Sequence, residues 1–159
     1  MRGQLKMRNL FSDLKKNIDI LSFFESGGCM SVLLSLTQTE IDDLYFFARS
    51  LFSEKKYSNA ANIFYILTWL EHNNYDYTLS LGLSYLNDRK YSDALMCFRR
   101  CATLNIKNPQ SSYYAGVCYS KLNLKNEAIK ALKTSISLAT RKEYSDYKVA
   151  SLKLLKIIK

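Results

Sequence analysis

One proline, five glycines and one histidine stand among 159 residues, and each scarcity excludes something. So few breakers of regular backbone suit an all-helical chain. A lone histidine, with no glycine-rich phosphate loop and no paired ligands, leaves catalysis without its usual groups, so the chain is expected not to be an enzyme and to need no cofactor or metal. No apolar run approaches the roughly 18 residues that a membrane helix needs. The apolar run at residues 18–24 is short, contains Asp19 and lacks a small-residue cleavage site, so a secretory signal is not expected and a cytoplasmic location is. Four cysteines, Cys29, Cys97, Cys101 and Cys118, form no recognisable disulfide or metal spacing and read as reduced packing residues. Acidic residues are also short, 14 against 23 basic, leaving a net charge of +9.

What is present is a period. Ala60, Ala94 and Ala128 lie 34 residues apart, and Phe64/Phe98/Leu132, Ala48/Gly82/Gly116, Leu51/Tyr85/Tyr119 and Tyr57/Tyr91 recur with them. A 34-residue period marks tetratricopeptide repeats, each an antiparallel pair of helices A and B. The fold class is therefore all-α, a solenoid of three helix pairs with an N-terminal helical segment and a C-terminal capping helix. Small residues at 48/82/116 let helix A approach helix B, and the alanine ladder does the same for helix B against the next repeat. Large residues at 64/98/132 fill the space between.

The pairs are placed near 40–53 and 57–70, 75–87 and 91–104, and 109–121 and 125–139. Thr37 with Glu40 forms a capping box before the first, and Pro109 suits a first helical turn. In domain terms, residues 1–36 form an N-terminal helical and dimerisation segment. Residues 37–140 hold the repeats (about 41–74, 75–108 and 109–142), and residues 141–159 form a basic capping helix. In residues 10–24, Leu10, Phe11, Leu14, Ile18, Leu21 and Phe24 follow helical spacing, and Gly27-Gly28 end that run. At the other end, Val149, Leu152 and Leu155 are expected to cover the open stack. Lys148, Lys153, Lys156 and Lys159 would form the solvated side of that last helix.

The A helices carry more apolar surface than stacking needs. With Leu44, Phe47, Ala48 and Leu51 assigned to stacking in the first, Tyr45 and Phe52 remain on a second face. The second helix repeats this with Leu79, Leu83 and Leu86, and the third with Tyr113 and Val117. A helix apolar on two faces is buried twice or presents one to a partner. Rows 45/79/113, 49/83/117 and 52/86/120 would then line a concave groove, unless the N-terminal segment or the C-terminal cap fills it. Each anchor buried there is worth about 1.5–3 kcal/mol before ordering costs.

Two other readings of the surface remain. Residues 121–159 carry ten basic and three acidic residues, so a regulatory adaptor binding a transcription factor or polyanion through its basic C-terminal region is the alternative. A carboxylate-clamp cochaperone would need Lys, Asn or Arg where this chain has Tyr45, Arg49, Ser80, Gln110 and Tyr114. Only Arg49 qualifies.

The stretch from Phe24-Glu25-Ser26-Gly27-Gly28 through Leu44-Tyr45, Lys56-Tyr57-Ser58-Asn59-Ala60 and Leu79-Ser80-Leu81-Gly82-Leu83 resembles the class II chaperones of bacterial type III secretion, the LcrH/SycD, IpgC and CesD family. The run Leu67-Thr68-Trp69-Leu70-Glu71-His72 through Asn74-Tyr75-Asp76-Tyr77-Thr78 is especially similar to CesD. The likeness spans roughly residues 20–150. It implies a bacterial cytoplasmic, virulence-associated chaperone for two hydrophobic secreted translocator proteins, the future pore subunits. A short proline-flanked segment of the translocator would lie in the concave groove, lined by Tyr45, Phe52, Tyr57, Leu79, Leu83 and Tyr113. Arg49, Leu86 and Val117 complete the groove rows. The resemblance also implies a homodimer of the unbound chain through its N-terminal helix, with Leu14, Ile18, Leu21 and Phe24 as the dimerisation residues. Arg49 departs from the family, whose members usually place an aromatic there, which points to a reshaped or acid-preferring pocket. The basic net charge departs too.

Overall fold

The computed structural model describes residues 28–158. A four-residue helix, α1 (Met30–Leu33), leads into α2 (Gln38–Ser53), α3 (Tyr57–Leu70), α4 (Tyr75–Asn87), α5 (Tyr91–Leu104), α6 (Pro109–Lys121) and α7 (Lys125–Leu138). A 3-10 turn (Lys142–Tyr144) precedes α8 (Ser145–Ile158). Each helix from α2 onward packs chiefly on its neighbours in sequence, and α8 touches both α7 and α6. The result is the predicted stack of three helix pairs closed by a last helix.

The A helices share one way of starting. Thr37 and Glu40 form the reciprocal capping box, with the Thr37 amide donating to Glu40 Oε2 at 2.8 Å. The Asn74 side chain accepts from the Asp76 and Tyr77 amides, and Asn108 accepts from Gln110 beside Pro109. These oxygens satisfy amides that have no partner inside the helix. The A helices also share one way of ending. Lys55, Arg89 and Asn123, again 34 apart, adopt left-handed backbone with φ near 60°. In each case the next amide reaches back over the turn: Lys56 to the Leu51 carbonyl, Lys90 to Tyr85 and Leu124 to Tyr119, all at 2.9 Å. This is the Schellman closure, usually built on glycine; here two of the three residues are long cations.

The ladder residues occupy the core. Ala48, Ala60, Ala94 and Ala128 are buried beside Phe64, Phe98 and Leu132. A methyl group on Gly82 would sit 2.7 Å from Phe98 Cε1, and one on Gly116 would sit 2.7 Å from Leu132 Cγ and Cδ2. The small residues are therefore required by contact between A and B helices. Cys97, Cys101 and Cys118 pack within the same interior, and burial raises their thiols to about 11, 12 and 12.

Two sequence expectations need correction at the ends of the stack. Phe47, assigned to stacking, is 55% exposed, and the buried stripe of α2 runs instead through Ile41 and Ala48. Among the described residues no helix pair precedes α2 to cover this face, which buries Leu81 and Ala115 in the inner A helices. On α8, Leu155 and Ile158 enter the core against Ala128 and Leu132, whereas Val149 and Leu152 are 50% and 44% exposed. The third buried position on α8 is Ser151, whose hydroxyl donates to Ser135 Oγ at 3.2 Å.

Candidate functional site

The rows predicted for the concave face meet best between α2 and α4. Tyr45, Arg49, Phe52 and Leu83 line one cleft of about 390 Å³ with Ser53 and Ser80, and buried Phe64 also lines it. Tyr45 is half-buried, its ring 5.2 Å from Tyr77 and edge-on to Phe64 at 6.0 Å. The Arg49 guanidinium stands 5.8 Å over the Tyr45 ring, within the range of a cation–π contact. Phe52 meets Tyr57 edge to face at 5.2 Å, so Tyr57 supports the cleft wall from α3. Burial raises the Tyr77 hydroxyl to about 12, with Glu71 and Asp42 adding to the shift. The Tyr77 ring packed behind Tyr45 therefore stays neutral at physiological pH.

The other predicted groove residues do not join this cleft. Leu79 is 8% exposed and belongs to the core around Phe98 and Cys101. Position 79 faces the next A helix, so the row 45/79/113 follows the seams between A helices. Leu86 is half-buried against that same core cluster, and Val117 is half-buried on α6. Tyr113 is covered in part by the cap: its ring lies 5.1 Å from Tyr114 and 5.7 Å from Tyr147 of α8. Gln110 holds that end together by donating to the Tyr147 hydroxyl at 2.6 Å, while its oxygen accepts from Tyr75 at 3.4 Å. Burial pushes the Tyr75 and Tyr114 hydroxyls well above their ordinary range. The C-terminal cap thus occupies part of the third repeat's share of the predicted rows. Leu14, Ile18, Leu21 and Phe24, predicted for dimerisation, lie outside the described residues.

Two features escape a reading of the sequence. A second cavity of about 480 Å³, lined by Met30, Tyr65, Thr68, Trp69, His72 and Arg100, opens on the B helices α3 and α5. Tyr65 and Trp69 sit four apart on α3, a spacing that places both on one face; a period search aimed at the A helices passes over it. The Arg100 guanidinium donates to the His72 carbonyl, tying α5 to the turn after α3. At the opposite end, Lys107, Arg141, Ser137, Thr140 and Tyr144 surround a polar hollow of about 270 Å³ with Leu138. Among the described residues, no cluster of three or more His, Cys, Asp or Glu side chains could hold a metal ion. No helix there is long and apolar enough to cross a membrane.

Residues 65–135 match the family model of anaphase-promoting complex, cyclosome, subunit 3. Low calcium response locus protein H of Yersinia pestis is 27% identical over 97 residues, 61% of this chain. The chain spans 58% of that relative's length. Among solved structures, a T3SS complex from Aeromonas hydrophila superposes with a TM-score of 0.83 at 20% identity, covering 87% of this chain and 93% of its own. The Yersinia enterocolitica type III secretion chaperone SycD, in complex with a peptide of the translocator YopD, gives 0.73 at 24% identity, covering 77% and 93%. At these identities the two structures establish the shared fold.

Proposed function

We propose that this chain, similar to low calcium response locus protein H, belongs with the class II type III secretion chaperones and is a non-enzymatic chaperone of translocators. Acting in the bacterial cytoplasm, it binds hydrophobic pore-forming translocator proteins of a type III secretion system and keeps them soluble and secretion-competent. The observation that carries this reading is the α2–α4 cleft, where side chains from three helices converge as an aromatic and aliphatic pocket with polar edges.

The chemistry is that of anchor binding. An extended segment entering the cleft would bury an apolar side chain against Tyr45, Phe52 and Leu83, and the Ser53 and Ser80 hydroxyls offer hydrogen bonds at the rim. Arg49 is exposed and positioned to take an acidic residue of the segment, setting register more than affinity. Because α8 packs on Tyr113, the first two repeats carry most of the accessible apolar surface of the rows. A related SycD structure holds a translocator peptide, which is the class of ligand assigned here.

Co-purification with co-expressed hydrophobic translocators of a type III secretion system tests this directly. Wild type should retain them, and Tyr45→Ala combined with Leu83→Glu should release them while leaving the thermal midpoint near that of wild type. A folded double variant that keeps its translocators undiminished refutes the cleft as their site.

A further inference from the structure

The polar hollow beside the cap gathers more positive charge than the fold requires. Lys107 and Arg141 are 34 residues apart, the same position in consecutive repeats. Lys107 belongs to the four-residue turn between α5 and α6, whereas Arg141 belongs to the six-residue lead-in of α8. Where the lead-in departs from the shorter spacing, a space of about 270 Å³ opens, and both cations line it. Like charges brought to one hollow repel unless an anion stands between them. Among the described residues no carboxylate pairs with Lys107, and Arg141 meets only Glu143, at 3.4 Å with both side chains more than half exposed. A surface pair of that kind holds its partners weakly.

The rest of the lining suits the same ligand. Thr140 and Tyr144 bring hydroxyl donors, the Ser137 hydroxyl donates to the Thr134 carbonyl at 2.8 Å, and Leu138 closes one side. An arginine fork, a lysine point charge and hydroxyl donors together suit a tetrahedral dianion. The space lies just below the roughly 300–1,000 Å³ of pockets for larger ligands, which favours a phosphate group carrying little else. We propose that this hollow binds a phosphate group, as the free ion or a small phosphomonoester, between Lys107 and Arg141. The bound anion ties the α5–α6 turn to the lead-in of α8. Because Tyr147 of α8 packs on Tyr113 and Tyr114, occupancy holds the cap against the third repeat. The site is independent of the α2–α4 cleft and of what that cleft binds.

The test is an NMR titration of the isotope-labelled full-length protein with inorganic phosphate, and separately with O-phosphoserine, at constant ionic strength. Saturable shifts should concentrate on the amides of 107 and 138–144, and hydrogen exchange of the α8 amides should slow at saturation. Lys107→Ala and Arg141→Ala should each weaken binding about tenfold, the loss of one charge-assisted contact. Lys125→Ala, at the far end of α7, should leave it unchanged. Tighter binding of inorganic phosphate identifies the free ion as the ligand, and tighter binding of O-phosphoserine identifies a phosphomonoester. Shifts that fail to saturate, or that spread over the exposed cations generally, overturn the proposal and mark a polyelectrolyte surface. Binding that survives both alanine substitutions overturns it as well. Saturation without slower exchange in α8 refutes the tie to the cap.

Discussion

Replacing Gly82 by alanine sets two well-measured effects against each other, and their sign decides whether the A–B contact is as close as described. Alanine in place of glycine inside a helix is worth about 1 kcal/mol in stability. The added methyl, however, would stand 2.7 Å from Phe98 Cε1, 3.1 Å from its Cδ1 and 3.0 Å from Cys97 Cβ. Phe98 cannot simply yield: it is fully buried and stacks on Tyr114 with ring centres 5.2 Å apart. Forcing such a methyl into a packed interior costs about 1–3 kcal/mol. Relief requires the Phe98 ring to move, Cys97 to shift and the helices to part by several tenths of an ångström, which places the cost toward the upper end. We expect Gly82→Ala to lose about 1–2 kcal/mol net, a figure of the same order as the packing and propensity difference. Urea unfolding of the otherwise unchanged chain measures it as a lower midpoint at constant slope. The exposed substitution Asn62→Ala on α3 serves as a control and should stabilise by a few tenths of a kcal/mol. If Gly82→Ala instead stabilises by the full propensity gain, the close approach of α4 to α5 is refuted.

The turns and the thiols give further tests. Lys55→Gly and Arg89→Gly should each raise stability by about 0.5–1 kcal/mol, because glycine removes the left-handed strain more than it loosens the unfolded chain; Asn123→Gly should gain less, since asparagine tolerates that backbone. The same urea midpoints check this, and equal gains at all three turns would refute the argument. The thiols of Cys97, Cys101 and Cys118 have folded values raised above the ordinary 9.0 by burial, so the stability they contribute is fully present below pH 9 and lost as pH climbs through about 11–12. At pH 7–8 they should react with Ellman's reagent only after denaturant is added; prompt labelling of all three in the native protein would contradict their placement.

Much of the fold is legible because the period is written in the residues that touch. The ladder at 60/94/128 and the glycines at 82 and 116 locate the A–B contacts, and Thr37 and Pro109 mark helix starts that the structure retains. Position within a repeat does not reveal position within the stack. Phe47 and Leu81 are equivalent by period, yet among the described residues only Leu81 has a preceding repeat to cover it. Leu79 resembles a groove residue because its row is apolar, but the seam between α4 and α6 buries it. The register of α8 is also hidden. Its six-residue lead-in, 139–144, is longer than the four-residue links 71–74 and 105–108, so Leu155 and Ile158 face inward while Val149 and Leu152, expected in the cap's contact, turn outward. The Trp69 cavity needs residues from α1, α3 and α5 together, a junction that no single-helix pattern displays.

The pairing of each helix with the next in sequence has a consequence for how the molecule comes into being. Its main contacts join segments only one or two helices apart, so little chain must be searched before a contact forms, and folding should be fast for its size. Synthesis delivers the helices in the order in which they pack. The cleft between α2 and α4 needs nothing beyond residue 87 for its walls, so it takes shape while the 72 residues that follow are still to be made. Under the proposed function, such an order of assembly would present the cleft to its translocator early.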